Sequence, residues 1–375
     1  MPWQEHTVMS ARAEFLVFAQ QEDANLSALC RQFSISRKTA YKWLGRVAAG
    51  EPDLGDRSRR PHTSPQRTDP AVEAAVLVLR DQHPAWGGRK LHQLLARQEL
   101  VQPIPAPSTI TAILRRHGRL AAPERPQRDW LRFEAAAPND LWPLDFMGYP
   151  DLPRGKVHPL TVLDDHSRFA VVLAACAQAG EALVREHLSA AFARYGLPRR
   201  ILTDNGPPWG TAGAGGLSAL EAWWLGLGIA VSHGRPAHPQ TQGKVERLHR
   251  TIWAEVPGIH TLPDLATAQA AFDHWRMVYN LERPHEALGM AVPASRYQPS
   301  PHPFPPRIPS IAYGPDDAVR RVFHPGRIAF HGQKHFISHG LIGLAVAVRT
   351  TSQPNQFTVW YGPRQVATID LTKHP

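Results

Sequence analysis

Apolar positions recur at helical spacing through the first third of the chain and at strand spacing through much of the rest. Leu26, Leu29, Cys30 and Phe33 fall on one helix face, the short turn SIS follows, and Ala40, Trp43 and Leu44 resume the period. The pattern predicts helix, turn, helix, with Ser36 as N-cap of the second helix and a preceding helix over 11–20. The outward face of the second helix carries Arg37, Lys38, Tyr41 and Lys42. Such a face suits a DNA groove, and equally the solvated side of an ordinary helical hairpin. The theme repeats in AVEAAVLVLRDQHP, GGRKLHQLLARQ and PSTITAILRRHG, the last opening at Pro107 and Ser108. Ile110, Ile113 and Leu114 form its buried stripe, leaving Thr109, Ala112, Arg115 and Arg116 outside. This is a second candidate recognition helix, or part of a plain three-helix core.

The spacing then changes. LWPLDFMG, PLTVLDDHS and RFAVVLAACA are strand-like runs, EALVREHLSAAFARYG is an amphipathic helix ending at Gly196, and RRILTD and GIAVSHG are further strands, each followed by a helix. The order predicts a mixed five-stranded sheet flanked by helices. VRRVF, RIAFHG, KHFISH, AVAVRT, FTVWYG and QVATIDL follow at the spacing of a small β-barrel.

Proline clusters at 59–65, 122–127 and 298–309 read as linkers, because proline donates no backbone hydrogen bond and biases its predecessor toward extended backbone. The chain is thus expected to be multidomain: a helix-turn-helix domain over 1–50, a linker over 51–68, a second over 69–121, a linker over 122–137, a catalytic-sized α/β domain over 138–300, a Pro-rich linker over 301–310 and a β module over 311–375.

Charge narrows the class of partner. Lys and Arg number 42 against 32 for Asp and Glu, a formal net charge of +10 and a pI near 10.0, which suits a phosphate-rich polymer. The longest apolar run, FAVVLAACA, is too short for a membrane span, and MPWQEHTVMS lacks the basic start and apolar middle of a signal peptide. The expected location is cytoplasmic, on the nucleoid, with no membrane partner. Cys30 and Cys176, alone in different modules, read as small buried residues rather than a disulfide or zinc site.

Three acids stand where chemistry would use them. Asp145 interrupts a strand, Asp204 ends one before the turn residues Asn205, Gly206 and Pro207, and Glu246 sits on the helix begun near Gln242. At about 100° per residue, Glu246 points away from the apolar stripe Val245, Leu248 and Ile252, toward the face bearing Gln242, Gly243, His249, Arg250 and Trp253. Among so many cations it is either a surface ion-pair partner or a metal ligand beside a polyanion. Asp164 and Asp165 are rival ligands, but their place before HSR fits a hydrogen-bonded turn.

LDFMG, LDDHSRF, LTDNGPP, HPQTQGKVERLHRT and NLERPHEALGMAVPASRY, in that order, resemble the catalytic domain of bacterial insertion-sequence transposases of the DDE type, relatives of retroviral integrases. The resemblance extends to both helix-turn-helix units and the C-terminal β module. It implies a ribonuclease-H-like core in which Asp145, Asp204 and Glu246 bind two Mg²⁺ ions, with Mn²⁺ as a substitute. It also implies double-stranded DNA as partner, both transposon ends and target, and a homo-oligomer, dimer or higher, assembled on it. The implied activity is binding of terminal inverted repeats, 3′-end cleavage and strand transfer. Asn205 and Gln242 are candidates for orienting substrate or water, and Lys244, Arg247 and Arg250 for gripping phosphate.

Two departures stand out. Glu246 follows Asp204 by 42 positions, longer than in many relatives, the extra length falling in GTAGAGG. Trp253 stands where relatives often carry a base, and either stacks on an unpaired nucleobase or packs in the core. The alternatives are an inactive helix-turn-helix regulator derived from a transposase and a general ribonuclease-H-like nuclease.

Overall fold

A computed structural model describes residues 8–51, 53–57, 68–120, 133–148, 152–211, 216–234 and 243–372. Contacts divide the chain into two units, Met1–Arg67 and Thr68–Pro375. The linkers expected around 59–65 and 122–127, most of GTAGAGG and Gln242 lie outside the described residues.

In the first unit, α1 (Val8–Ala19), α2 (Leu26–Gln32) and α3 (Arg37–Ala48) close over Phe15, Leu16, Cys30, Ala40 and Trp43. The tight turn is possible because both following helices are capped: Asn25 Oδ1 accepts from Ala28 N at 3.1 Å, and Ser36 Oγ accepts from Thr39 N at 3.1 Å. Arg46 anchors the segment after α3, its guanidinium donating to Glu51, Asp53 O and Gly55 O, each at 2.8 Å, while stacking over Trp43. Arg37, Lys38, Tyr41 and Lys42 are all exposed, the side chains that the amphipathic pattern turned outward.

The second unit opens with α4 (Pro70–Gln82), α5 (Gly88–Gln98) and α6 (Pro107–Arg116), packed through Val76, Leu79, Leu91, Leu94, Leu95, Ile110, Ile113 and Leu114. Gly88 is required at the α5–α6 crossing, since a Cβ there would meet the carbonyl of Pro107 and the Thr111 hydroxyl. α5 docks on the following domain: Arg97 donates to the carbonyl of Glu282 at 2.9 Å, and Lys90 lies 3.7 Å from buried Glu255, which Arg283 holds from both carboxylate oxygens. With α5 so engaged, α6 is the helix left to present Arg115 to solvent.

The α/β domain carries β1 (Trp142–Phe146), β2 (His158–Leu163), β3 (Ala170–Cys176), α7 (Glu181–Tyr195), β4 (Arg200–Thr203), α8 (Ala219–Gly226), β5 (Ala230–His233), α9 (Gly243–Glu255) and α10 (Leu265–Leu281). Its sheet order is β3-β2-β1-β4-β5, with β1–β2 and β2–β3 antiparallel and β1–β4 and β4–β5 parallel. Trp142, Leu144, Leu160, Val162 and Ile201 pack one face of the sheet against α7 and α8. Met147, Leu163 and Leu173 pack the other against α9 and α10. The side-chain period of two does this: along β1, Trp142 and Leu144 face α7, which leaves Pro143 and Asp145 facing α9.

The β module places β6 (Ala318–Arg321), β9 (Ala345–Thr350), β10 (Gln356–Tyr361) and β11 (Arg364–Asp370) in one antiparallel sheet of order β11-β10-β9-β6, and β7 (Arg327–Phe330) with β8 (Gln333–Phe336) in a hairpin. The six runs of the sequence pattern are these six strands, shared between a sheet and a hairpin around a common core of Val322, Ile328, Val346, Val348 and Val359. That core also takes in Ala222 and Leu225 from α8 and Leu217 just before it. Gly340 lies against the backbone at 217–219, where a Cβ would collide with the Leu217 carbonyl. Both cysteines are buried and free, as their apolar contexts predicted.

Replacing Ser36 by alanine removes the cap of α3 and is expected to lower the local stability of that helix by about 1 kcal/mol. Amide exchange across Arg37–Ala48 reads the change, and unaltered protection would show that the turn does not depend on the cap.

Candidate active site

Register brings the first two acids together. Trp142 pairs with Ile201 and Pro143 with Leu202 in the parallel β1–β4 ladder, so continuing it sets Asp145 beside Asp204 just past the end of β4. Equal counts along both strands put the two side chains on the same face, the one covered by α9. Thr161, the cross-strand partner of Asp145, confirms which face this is: its hydroxyl contacts the Asp145 carbonyl at 3.0 Å and His249 Nε2 of α9 at 2.8 Å. Glu246 lies three residues before His249, about one turn nearer the start of α9 on the same side.

The electrostatics carry the same message. Burial pushes the Asp145 carboxyl up to about 6, and the charges of Asp204 and Glu246 push in the same direction. A charge felt through partly buried protein is a charge nearby. Burial also raises Asp204, against a hydrogen bond from Gly206 N to its Oδ1 at 3.1 Å. Among the described residues no three acid, histidine or cysteine side chains converge closely enough to cage an ion. The donor set still fits a hard cation: it is all carboxylate oxygen, two of the acids half-buried and Glu246 exposed, and mutually repelling until neutralised.

The rival acids are saturated. Asp164 is fully buried, accepting from Ser167 N at 2.8 Å, Ser167 Oγ at 2.5 Å and Asn139 N at 2.7 Å. Asp165 accepts from Ala135 N at 2.7 Å and binds Lys244 Nζ at 2.5 Å. Their oxygens are spent on folding the turn, as its position before HSR suggested.

The remaining candidates divide. Lys244 reaches back to Asp165 and pins the first turn of α9, whereas Arg247 and Arg250 stand exposed beside Glu246. Asn205 Nδ2 donates to the Gly234 carbonyl at 3.1 Å, strapping the turn after Asp204 to the end of β5. Trp253 packs against the α9–α10 core and stacks on His260 with ring centroids 5.0 Å apart. His249 is driven down to about 4 by burial, so it is a neutral polar residue of the helix face. In the second helical group Arg115 is exposed, but Arg116 is 2.5 Å from the buried carboxylate of Glu73 on α4.

Sequence reasoning passed over Glu221 and His233. Glu221 on α8 is 2% exposed and lies 2.9 Å from His233 Nε2, while His233 Nδ1 lies 2.8 Å from the Asp204 carbonyl. The hydrogen bond to Glu221 raises the imidazole pKa, and although burial opposes it, bonds from His233 and Ser218 draw the Glu221 carboxyl down. Only an acid in the middle of an otherwise apolar helix, ALEAWWLG, signalled anything in the sequence.

Comparisons with known proteins agree with this architecture. Profiles described as Integrase core domain match residues 135–239 and 227–293, one described as Homeodomain-like domain matches 39–114, and one described as IS481 family transposase, C-terminal domain, matches 317–375. The chain is 26% identical over 276 residues to the 31.7 kDa protein of insertion element IS407 of Burkholderia multivorans, covering 72% of this chain and 93% of that one. It is 27% identical over 230 residues to the 39.2 kDa protein of insertion element IS476 of Xanthomonas euvesicatoria, covering 60% of this chain and 64% of the relative. Among solved structures it is similar to the catalytic core domain of BIV integrase, at 23% identity and a TM-score of 0.34, covering 42% of this chain and 93% of that one.

A pH test reads what burial and the neighbouring acids together do to Asp145. The folded chain holds a proton on Asp145 up to about 6, whereas an unfolded carboxyl releases it near the ordinary 3.8, so stability falls as pH rises through that window. Asp145→Asn is therefore expected to melt above the parent at about pH 8 in chelator and level with it at about pH 4. Equal melting at the higher pH would mean that neither burial nor the neighbouring acids disfavour the charged form of Asp145.

Proposed function

The chain belongs to the insertion-sequence transposases that carry an integrase core domain, and from that premise we propose that it binds the terminal inverted repeats of its element and performs 3′-end cleavage and strand transfer there. Asp145, Asp204 and Glu246 are the proposed ligands of two Mg²⁺ ions, with Mn²⁺ able to replace them. The observation that carries this reading is the β1–β4 register, which sets Asp145 beside Asp204 on the sheet face where Thr161 meets His249 of α9.

Asp145, Asp204 and Glu246 would hold the ions, which would supply positive charge to stabilise an in-line displacement at phosphorus. The protein's part is positional. β1 and β4 present two acids at one level, and α9, pinned by Lys244 to Asp165, presents the third from above. Exposed Arg247 and Arg250 flank that acid and supply positive potential for the incoming phosphodiester. Asn205 and Gln242 are left with the orientation of substrate or water. Water is the first nucleophile and frees a 3′-hydroxyl; that hydroxyl is the second and joins the element to target DNA. Because two ends take part, the proposed working form is a dimer or higher assembly on DNA.

End recognition is assigned to α3, through Arg37, Lys38, Tyr41 and Lys42, and to α6, chiefly through Arg115. Arg116 is tied to Glu73 and is the weaker candidate. Trp253, engaged by His260 and the core, fits packing better than base stacking.

Asp145→Asn and Glu246→Gln are expected to abolish Mg²⁺-dependent cleavage of a duplex carrying the element's terminal repeat while leaving its binding intact. Retained cleavage in either variant would sink the mechanism, and end binding without chemistry in the parent would identify a DNA-binding regulator instead. Arg115→Ala is expected to lower the salt slope of end binding by about 1, the signature of one lost phosphate contact. An unchanged slope would remove α6 from the interface.

A further inference from the structure

α8 is shared by two cores. Leu220, Trp223 and Trp224 pack under the five-stranded sheet, and Leu217, Ala222 and Leu225 pack into the β module. Glu221 sits between these faces, and a carboxylate 2% exposed needs partners on every side. It has them. Oε2 accepts from Ser218 N at 2.8 Å, and Oε1 lies 2.9 Å from His233 Nε2 and 3.5 Å from the guanidinium of Arg364 on β11.

His233 ends β5, paired in register with Thr203, the residue before Asp204. Its Nδ1 lies 2.8 Å from the Asp204 carbonyl, to which the Thr203 hydroxyl also donates at 3.0 Å. The last ladder pair of β4 is Thr203–His233, and the Gly234 amide closes it on Thr203 O at 2.9 Å. Asp204 is therefore the first residue whose backbone the sheet no longer holds, and the imidazole takes over at that point.

We propose that His233 is a positioning residue for Asp204, tying the acid's carbonyl to buried Glu221 and, through Arg364, to the β module, so that the direction of the Asp204 carboxylate depends on all three. This rests on Asp204 being a metal ligand. Groups that orient a ligand from behind commonly change metal affinity without touching the ion.

The two imidazole nitrogens can be separated by substitution. Asparagine places an amide nitrogen near Nδ1 and keeps the donor to Asp204, and glutamine places one near Nε2 and keeps only the donor to Glu221. Mn²⁺ binding to the full chain, followed by calorimetry, is the readout, with melting temperature and duplex-end binding measured in parallel.

His233→Gln is expected to weaken Mn²⁺ about 10-fold while holding the parent's melting temperature, and His233→Asn to keep Mn²⁺ affinity but melt lower, because buried Glu221 then loses its imidazole partner and keeps only Ser218 and Arg364. A purely structural histidine would not dissociate the two readouts. Parental Mn²⁺ affinity in His233→Gln, or losses in both variants that follow melting temperature alone, would overturn the assignment. Arg364→Met is expected to weaken Mn²⁺ by a smaller factor, and an unchanged value would overturn the link to the β module. Asp204→Asn run beside them keeps the failures distinct: if it binds Mn²⁺ like the parent, the metal-site reading is wrong, whatever His233 does.

Discussion

The parallel register between β1 and β4 is the constraint on which the site depends. A shift of one residue would turn Asp145 toward α7, into a core of leucine, valine and tryptophan, and no local adjustment could bring it back. In the observed register two acids share a level at the carboxyl ends of neighbouring strands, where the ladder stops and side chains are half-covered. Burial enough to raise Asp145 and partial exposure of both acids meet at that boundary. The hydrophobic face that fixes the register is thus also what fixes the spacing of the charges.

Holding like charges together needs a rigid surround, and the fold supplies it from several directions. Asp164 and Asp165 fold the β2–β3 turn and clamp Lys244, so the helix bearing Glu246 starts from a fixed point. Glu255, at the other end of that helix, is gripped by Arg283 and approached by Lys90 of α5. α9 is therefore fastened at both termini by ion pairs that are largely withdrawn from water, while its middle packs through Val245, Leu248 and Ile252. Exposed ion pairs would hold it far less firmly.

Much of this was legible in the chain. Periodicity located the helices of both trihelical groups, all five strands of the sheet and the six of the β module, and helical phase turned Glu246 away from its apolar stripe. Ser36 and Pro107 marked helix starts correctly because capping is a local property. What stayed hidden depends on distance in the sequence. Nothing near Arg116 reveals Glu73, nothing near Lys244 reveals Asp165, and Arg364 meets Glu221 only after two cores have formed around one helix. Solvent-facing cations and those turned inward to a buried acid look alike in one dimension. The sharing of α8 was hidden for a related reason: ALEAWWLG is apolar nearly all round, which says that the helix is covered but not by what.

That shared helix bears on what a shortened gene product could be. A reading frame interrupted after α10 would still encode all three acids and both helical groups. The shortened chain would nevertheless expose Leu217, Ala222 and Leu225, each buried leucine forfeiting about 2 kcal/mol on return to water, and would leave Glu221 without Arg364. Such a chain would lack the packing that the β module lays against the helix carrying Glu221. The α/β domain thus shares part of its core with the β module, whose strands come later in the chain.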